Sequence, residues 1–268
     1  MIAPVQPLAP EPPRPSAIAA VGLLPRETLG DRVTAELRAL LVAGRLAPGE
    51  KLSLRRVAEA LGVSIMPVRE AVSRLAADSA LEVLPGRAVR VPVLTQAQFR
   101  ELTRLRLVVE GFAAEEAARN ATQEQIAAIA ACEARFRDLA SAEPPDAAGA
   151  VAANRDLHFA LYEAAAMPTL VEMIERLWLK AGPILNLDMR DEPRRLKGGS
   201  AMQAHAALLD ALRRRDPVQA RDALQRDIAE AAAHIAAIGR LGPESEPGRS
   251  TDEARRPPHI GIETMGER

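Results

Sequence analysis

The chain is 268 residues long, 48% apolar but only 2% aromatic, with one cysteine and a formal net charge of −1. That length supports one large core or two small ones, and an alanine-rich, aromatic-poor composition favours packed helices over sheets. Near-neutral charge excludes a global field for nucleic acid, so any such site must be a local basic patch, and the lone Cys132 excludes an internal disulfide and fits a reducing compartment.

Residues 1–24 form a proline-rich arm with no charged segment ahead of an apolar stretch, so a disordered arm is expected rather than a signal peptide. No apolar run approaches the roughly 18 residues that cross a bilayer. Both observations point to a cytoplasmic protein without a membrane partner.

Residues 25–94 are expected to form the first domain. Its first helix carries Val33, Leu37, Leu40 and Leu41 on one face, and APGE at 47–50 is a turn. A second helix spans 52–63 and stops at Gly62, and Ser64 caps a third with Pro67 in its first turn and Ala71, Val72 and Leu75 facing inward. The period then changes, because residues 81–93 alternate about Pro85-Gly86 as a short β-hairpin does. Three helices and a hairpin predict a winged helix-turn-helix. Such a module lays its second helix in the major groove with N-terminal residues on base edges. Here those residues are Ser64, Ile65, Met66 and Arg69, with Arg55 on the preceding helix and Gly86 and Arg87 at the hairpin tip. Arg69 can fork onto guanine or phosphate, and Ser64 can hold a phosphate at the helix N-terminus. Between residues 26 and 93, eleven Lys and Arg face eight Asp and Glu, a surplus of three positive charges inside a slightly acidic chain. The competing reading is a three-helix packing domain with solvated arginines.

Residues 95–240 read as helical throughout, in segments near 96–119, 122–141, 147–166, 168–181, 200–215 and 217–238. Thr95, Thr122 and Asp216 are expected N-caps, and breaks fall at SAEPPDAAG and DEPRRLKGG. The expected fold class is mostly α, with this stretch an all-α antiparallel bundle and residues 241–268 a polar tail. Inside the bundle, Asn154 and His158 stand four residues apart on one helical face. His205 lies eleven residues before the turn at Asp216 and Asp227 eleven after it. At ~1.5 Å rise per residue the two reach the same height, whereas His234 falls about 10 Å off level. These four side chains can converge as nitrogen and oxygen ligands of a divalent cation, the alternative being a metal-free polar pocket. Arg106 and Glu110 are also four residues apart, and Tyr162 follows His158 by one turn, where it offers a pocket hydroxyl or fills the core.

The run GRLAPGEKLSLRRVAEALGVSIMPVREAVSRLAADSALEVLPGRAVRV resembles the winged helix-turn-helix of the GntR family. The helical remainder resembles that family's FadR-type subfamily, whose C-terminal module is the FCD domain, and the likeness covers residues 30–240. It implies a homodimeric, ligand-responsive DNA-binding regulator, commonly a repressor released by a small carboxylate effector. It places Arg55, Ser64, Arg69 and Gly86 at operator-contacting positions. Asn154, His158 and His205 match three positions of the family's metal site for ions such as Zn, Ni or Mn, and Arg106 with Glu110 matches its RxxxE element. In that element the Arg can clamp a ligand carboxylate, against the simpler reading of an i,i+4 ion pair. Tyr162 joins this effector set. Three departures stand out. Ile65 and Met66 replace the usual Arg and Thr, which predicts an atypical operator tolerant of A/T. Ser79 stands where a glycine usually ends the helix. Asp227 replaces the last histidine, which shifts preference toward harder ions. Two other readings are a metal-dependent hydrolase using the His/Asp cluster, with Glu110 or Glu163 as base, and a family member that has lost operator specificity. No HExxH or comparable motif supports the hydrolase, so an enzyme is not expected.

Overall fold

The computed structural model describes residues 28–191, 199–239 and 241–243; the arm, residues 244–268 of the tail and most of the DEPRRLKGG break lie outside this set. The fold is mostly α, a helix-turn-helix with a small sheet followed by a helical domain. Helix α1 (Leu29–Val42) starts at a capping box in which Thr28 and Asp31 bond each other's backbone N–H groups. Strand β1 (Lys51–Leu52) and helix α2 (Leu54–Leu61) follow, and α2 ends at Gly62 in the left-handed region, φ 65°. Helix α3 (Ile65–Ala77) turns Val68, Ala71, Val72 and Leu75 into the core. Strands β2 (Glu82–Val83) and β3 (Val89–Arg90) flank a 3₁₀ turn at Pro85–Arg87.

The hairpin expectation is thus met but incomplete. The sheet has three antiparallel strands in the order β1-β3-β2, with Lys51 opposite Arg90 and Val83 opposite Val89. On sequence alone Leu52 falls in the second helix and Lys51 in no element, because a two-residue strand carries no period of its own. Ser79, just past α3, has φ 56°. The position therefore does take the left-handed conformation that suits glycine, at a cost of roughly 1–2 kcal/mol for a residue with a Cβ.

The second domain consists of α4 (Gln96–Asn120), α5 (Gln123–Ser141), α6 (Ala147–Ala164), α7 (Pro168–Asp191), α8 (Ser200–Arg214) and α9 (Pro217–Ala237). Capping boxes at Thr95 and Thr122 and an Asp216 N-cap start α4, α5 and α9 where expected. Helix α4 packs along α9, α5 along α6, and α8 and α9 form an antiparallel hairpin. Small buried side chains at Ala113, Ala114 and Ala117 on α4 and at Ala220 and Ala223 on α9 let those two helices approach closely. No helix among the described residues is long and apolar enough to cross a membrane.

Helix α7 corrects an expectation. The expected segment ends near residue 181, yet the helix continues to Asp191 with Pro183 inside it. An interior proline forfeits a backbone hydrogen bond and costs about 3 kcal/mol. Burial of Trp178, Leu179, Ala181 and Ile184 on the flanking turns offsets that cost. Leu179 belongs to the core of the DNA-binding domain, while its neighbour Trp178 belongs to the core of the helical domain. Gly182 sits directly under the end of α1, where an added Cβ would lie 2.6 Å from the Leu41 carbonyl oxygen and 2.8 Å from that of Val42. Arg38 on α1 adds an ionic link, reaching Asp78 at 3.3 Å and Glu175 on α7 at 3.6 Å.

Gly182→Ala separates helix propensity from this close approach. In an exposed helix the change gains ~1 kcal/mol. Here it is expected to lower stability and speed amide exchange at the end of α1, as read by chemical denaturation and hydrogen exchange. A more stable variant with unchanged exchange would show that the two backbones do not abut.

Candidate functional site: a reading helix and a buried ligand cluster

The front of α3 is exposed. Ser64 has the backbone of an N-cap but makes no side-chain capping bond, so the expected cap is formed by the backbone alone and the hydroxyl stays available. Ile65 and Met66 are 39% and 65% exposed, unusual for apolar side chains. Arg69 is exposed and makes no hydrogen bond or ion pair with the described residues. Arg55 is 87% exposed and touches only Glu59, at 3.5 Å. Gly86 turns the wing tip with φ 81°, a conformation that suits a residue without Cβ. The Arg87 side chain lies outside the described residues. By contrast, Arg74 further along α3 is held by Asp31 and Glu70, both at 2.5 Å, and so serves packing between α1 and α3. Arg69 near the front of the helix is thus uncommitted among the described residues, and Arg74 at its back is fixed.

The second site lies inside the bundle, where α6, α8 and α9 bring His158, His205 and Asp227 together. His158 Nε2 is 3.2 Å from Asp227 Oδ2, and His205 Nε2 is 3.8 Å from Asp227 Oδ1. Asn154 stands one turn before His158 on α6, half-buried. Both ring nitrogens of His205 are buried with no hydrogen-bonding partner among the described residues, and its ring meets Phe136 edge-on at 5.1 Å. Burial, helped by the nearby His158, lowers the His205 pKa even though Asp227 opposes the shift. Burial also works to raise the Asp227 carboxyl, but contact with His158 and the charges of His205 and Arg106 hold it below its ordinary value. An ionised carboxylate between two imidazoles, one of them orphaned, is a donor set for a divalent cation. Tetrahedral ligands at ~2.0–2.1 Å lie about 3.3 Å from one another, so the two N···O separations suit such an ion with little rearrangement. The residues therefore fit the divalent metal that the family resemblance implies.

Arg106, Glu110 and Tyr162 pack against this cluster in a way that the sequence left open. Arg106 donates Nε–H and Nη2–H to the two oxygens of Glu110, at 2.6 and 3.1 Å, and the pair is buried. Burial works to lower the Arg106 pKa, and the charge and hydrogen bonds of Glu110 more than reverse it. Tyr162, fully buried, donates its hydroxyl proton to Glu110 Oε2 and lies 2.9 Å from His158 Nδ1. Burial and the Glu110 charge push the phenol well above its ordinary pKa, so it keeps that proton. The i,i+4 pair is thus formed, and Tyr162 fills the core and uses its hydroxyl at once. Trp178 was missed on sequence: its ring lies under the Arg106 guanidinium at 5.1 Å and beside His158 at 5.6 Å. As the chain's one tryptophan in a chain this poor in aromatics, it was the available signal.

Comparison with known proteins finds a match for each domain. Residues 29–91 match the family of bacterial regulatory proteins called gntR, and residues 101–230 match the FCD domain. The regulator McbR of Escherichia coli K12 is 35% identical over 165 residues, covering 62% of this chain and 74% of McbR. The chain belongs to the GntR family. This GntR-family protein is also similar to a probable D-xylose utilization operon repressor of Paenarthrobacter nicotinovorans, 29% identical over 77% of this chain and 88% of the relative. Among solved structures, E. coli McbR/YncC superposes with a TM-score of 0.73 at 31% identity, covering 80% of this chain and 99% of that one. A putative GntR regulator of Rhodococcus sp. RHA1 gives 0.63 at 25% identity, covering 78% and 97%. The GntR-family protein is accordingly a DNA-binding transcription regulator with an FCD effector domain, and the relatives are regulators rather than enzymes.

Arg106→Met leaves the Glu110 carboxylate buried without its cation. Breaking a buried pair from one side costs about 3–5 kcal/mol. Urea denaturation is expected to show a loss of that size, and the double variant Arg106→Met/Glu110→Leu should recover much of it. Equal stability of the single variant and the wild type would mean that water reaches Glu110.

Proposed function

We propose that this protein is a cytoplasmic, homodimeric repressor whose buried cluster holds a divalent cation and, through it, a small organic acid that releases the operator. The observation that carries this reading is the convergence of His158, His205 and Asp227 from three helices onto one buried point. With neutral imidazoles, Glu110 and Asp227 outweigh Arg106 by one negative charge. A divalent cation turns that into one positive charge, suited to a monocarboxylate. Because the Nε–Nη2 edge of Arg106 is filled by Glu110, the acid's carboxylate is taken by the cation rather than by Arg106. Asp227 and Asn154 as oxygen ligands favour Mn or Zn over softer ions. Repression is supported by relatives named as repressors of the D-xylose and gluconate operons.

Helix α7 supplies the route from site to reading head, since Trp178 touches His158 and Arg106 while Leu179 is built into the head's core. A ligand that displaces the Trp178 ring by a fraction of an ångström moves the seat of α1. On the DNA side, Ser64 and Arg69 contact the operator with Arg55, and Ile65 and Met66 meet thymine methyl groups. Gly86 and Arg87 follow the backbone or the minor groove. For the dimer, Leu105, Val108 and Phe112 form an exposed apolar stripe along α4, with Val108 69% exposed. A second copy of the chain is the fitting cover, because two heads reading half-sites need a two-fold axis.

Two measurements test this reading. Fluorescence anisotropy on DNA flanking the gene, at two salt concentrations, is expected to give sequence-specific binding that Arg69→Ala weakens by ~1–3 kcal/mol, roughly 5- to 150-fold. Equal affinity for random DNA with a steep salt slope would leave only phosphate contacts and sink the operator reading. Val108→Asp is expected to sediment as a folded monomer at concentrations where the wild type is dimeric; an unchanged dimer would move the interface off α4.

A further inference from the structure

We propose that Tyr162 and Glu110, held by Arg106, are positioning residues for His158: they fix which of its ring nitrogens carries the proton and so present the other to the cation. This rests on the metal reading above, but it assigns the RxxxE pair and the tyrosine a different task from effector binding. Glu110 accepts two guanidinium hydrogens from Arg106, and its Oε2 also takes the single hydroxyl proton of Tyr162. Tyr162 then has no proton left for His158, 2.9 Å away, so its oxygen can only accept there. His158 must therefore carry a proton on Nδ1, and Nε2, 3.2 Å from Asp227 Oδ2, is the nitrogen turned toward the carboxylate. Without a cation a proton between Nε2 and Asp227 Oδ2 makes this contact, and a cation takes that proton's place. With Nδ1 bare, its lone pair would face the Tyr162 oxygen and the two acceptors would repel.

The surroundings leave this chain little freedom. Tyr162 and Glu110 are fully buried, and the flat face of the guanidinium lies against Trp178. A rotation of Tyr162 would strand Glu110 Oε2 and the phenol in an apolar interior, so the orientation is locked by packing as well as by hydrogen bonds. His205 has no comparable support: neither of its nitrogens has a hydrogen-bond partner among the described residues, and its ring rests on Phe136. The two imidazoles are therefore unequal, with His158 set in advance and His205 adaptable. Hydrogen bonding of the remote imidazole nitrogen is the feature that commonly orients a metal-bound histidine.

Tyr162→Phe tests this with little change of volume, and it leaves Glu110 paired with Arg106. In ¹⁵N-resolved spectra of the metal-free wild type, His158 should be protonated at Nδ1, and in the variant it should become a mixture of tautomers. Titration with Co²⁺ alone, in competition with a chelator, should show affinity lowered about 10- to 100-fold in the variant with an altered visible spectrum. A bare Nδ1 on His158 in the metal-free wild type overturns the proposal whatever the variant does. Equal Co²⁺ affinity and identical spectra in wild type and Tyr162→Phe overturn it as well. A wild type that binds no Co²⁺ brings down the metal reading itself, and the wild-type titration alone distinguishes that failure from the other two.

Discussion

Trp178 and Leu179 are adjacent in the chain, yet one is buried in the core of the helical domain and the other in the core of the DNA-binding domain. An α-helix turns about 100° per residue, so consecutive side chains can face two different layers, and α7 uses that turn to join two cores without a linker. Gly182 completes the joint by allowing α7 to pass under the last carbonyls of α1. The wing, the reading helix and the buried cluster all take their relative placement from this seam. Domain pairs in one chain usually meet through polar surfaces that permit relative motion. Here a leucine of one domain is part of the other's core, so the head cannot swing freely; it shifts only as α7 shifts.

The same helix ties the seam to the charged cluster. Helices α4 and α9 pack through alanines, which leaves room for larger polar groups only where the alanine pattern breaks, at Arg106, Glu110 and Asp227. Buried ion pairs seldom add stability relative to apolar packing, so three ionised groups in this interior are retained at an energetic disadvantage. Arg106 is compensated twice, by Glu110 in its plane and by the Trp178 ring against its face. Among the described residues Asp227 meets only imidazoles at ion-pair distance, one of them 3.8 Å away, and feels Arg106 from further off. The imbalance is therefore concentrated at one carboxylate, the position where a cation gains most.

Much of this was legible in the sequence because caps and periods are local. Thr95, Thr122 and Asp216 announce their helices by side chains that bond the first-turn N–H groups, and the equal spacing about Asp216 placed His205 level with Asp227. What escaped depends on contacts between distant residues. Lys51–Leu52 is a strand only because β3 lies beside it. Helix α7 runs through Gly182-Pro183 because tertiary burial outweighs a local breaker, and sequence shows the breaker but not the burial. The i,i+4 spacing of Arg106 and Glu110 was visible, but whether it formed a surface pair, a ligand clamp or a buried support depended on Tyr162, 52 residues further on. Trp178 carried no spacing signal at all, since its partners lie on α4 and α6.

The reading helix poses the converse problem, because its apolar side chains are outside. Ile65 and Met66 at the front of α3 are not needed for the head's core, which Val68, Ala71, Val72 and Leu75 fill without them. Exposed apolar area costs about 25 cal/mol per Å² relative to burial, so each is worth roughly 1–2 kcal/mol to a partner that covers it. A duplex covers them only where thymine methyl groups or sugar edges approach, a weaker discriminator than a guanidinium fork on guanine. In the proposed dimer, sequence discrimination then falls more heavily on Arg69 and on the spacing of the two heads. In that proposed arrangement α7 sets the spacing, and a ligand changes it only by as much as it favours one arrangement of the heads over the other. A head with modest base readout needs a smaller shift for release than one anchored by many specific contacts, so an apolar reading front and a rigid seam suit each other in a ligand-operated switch.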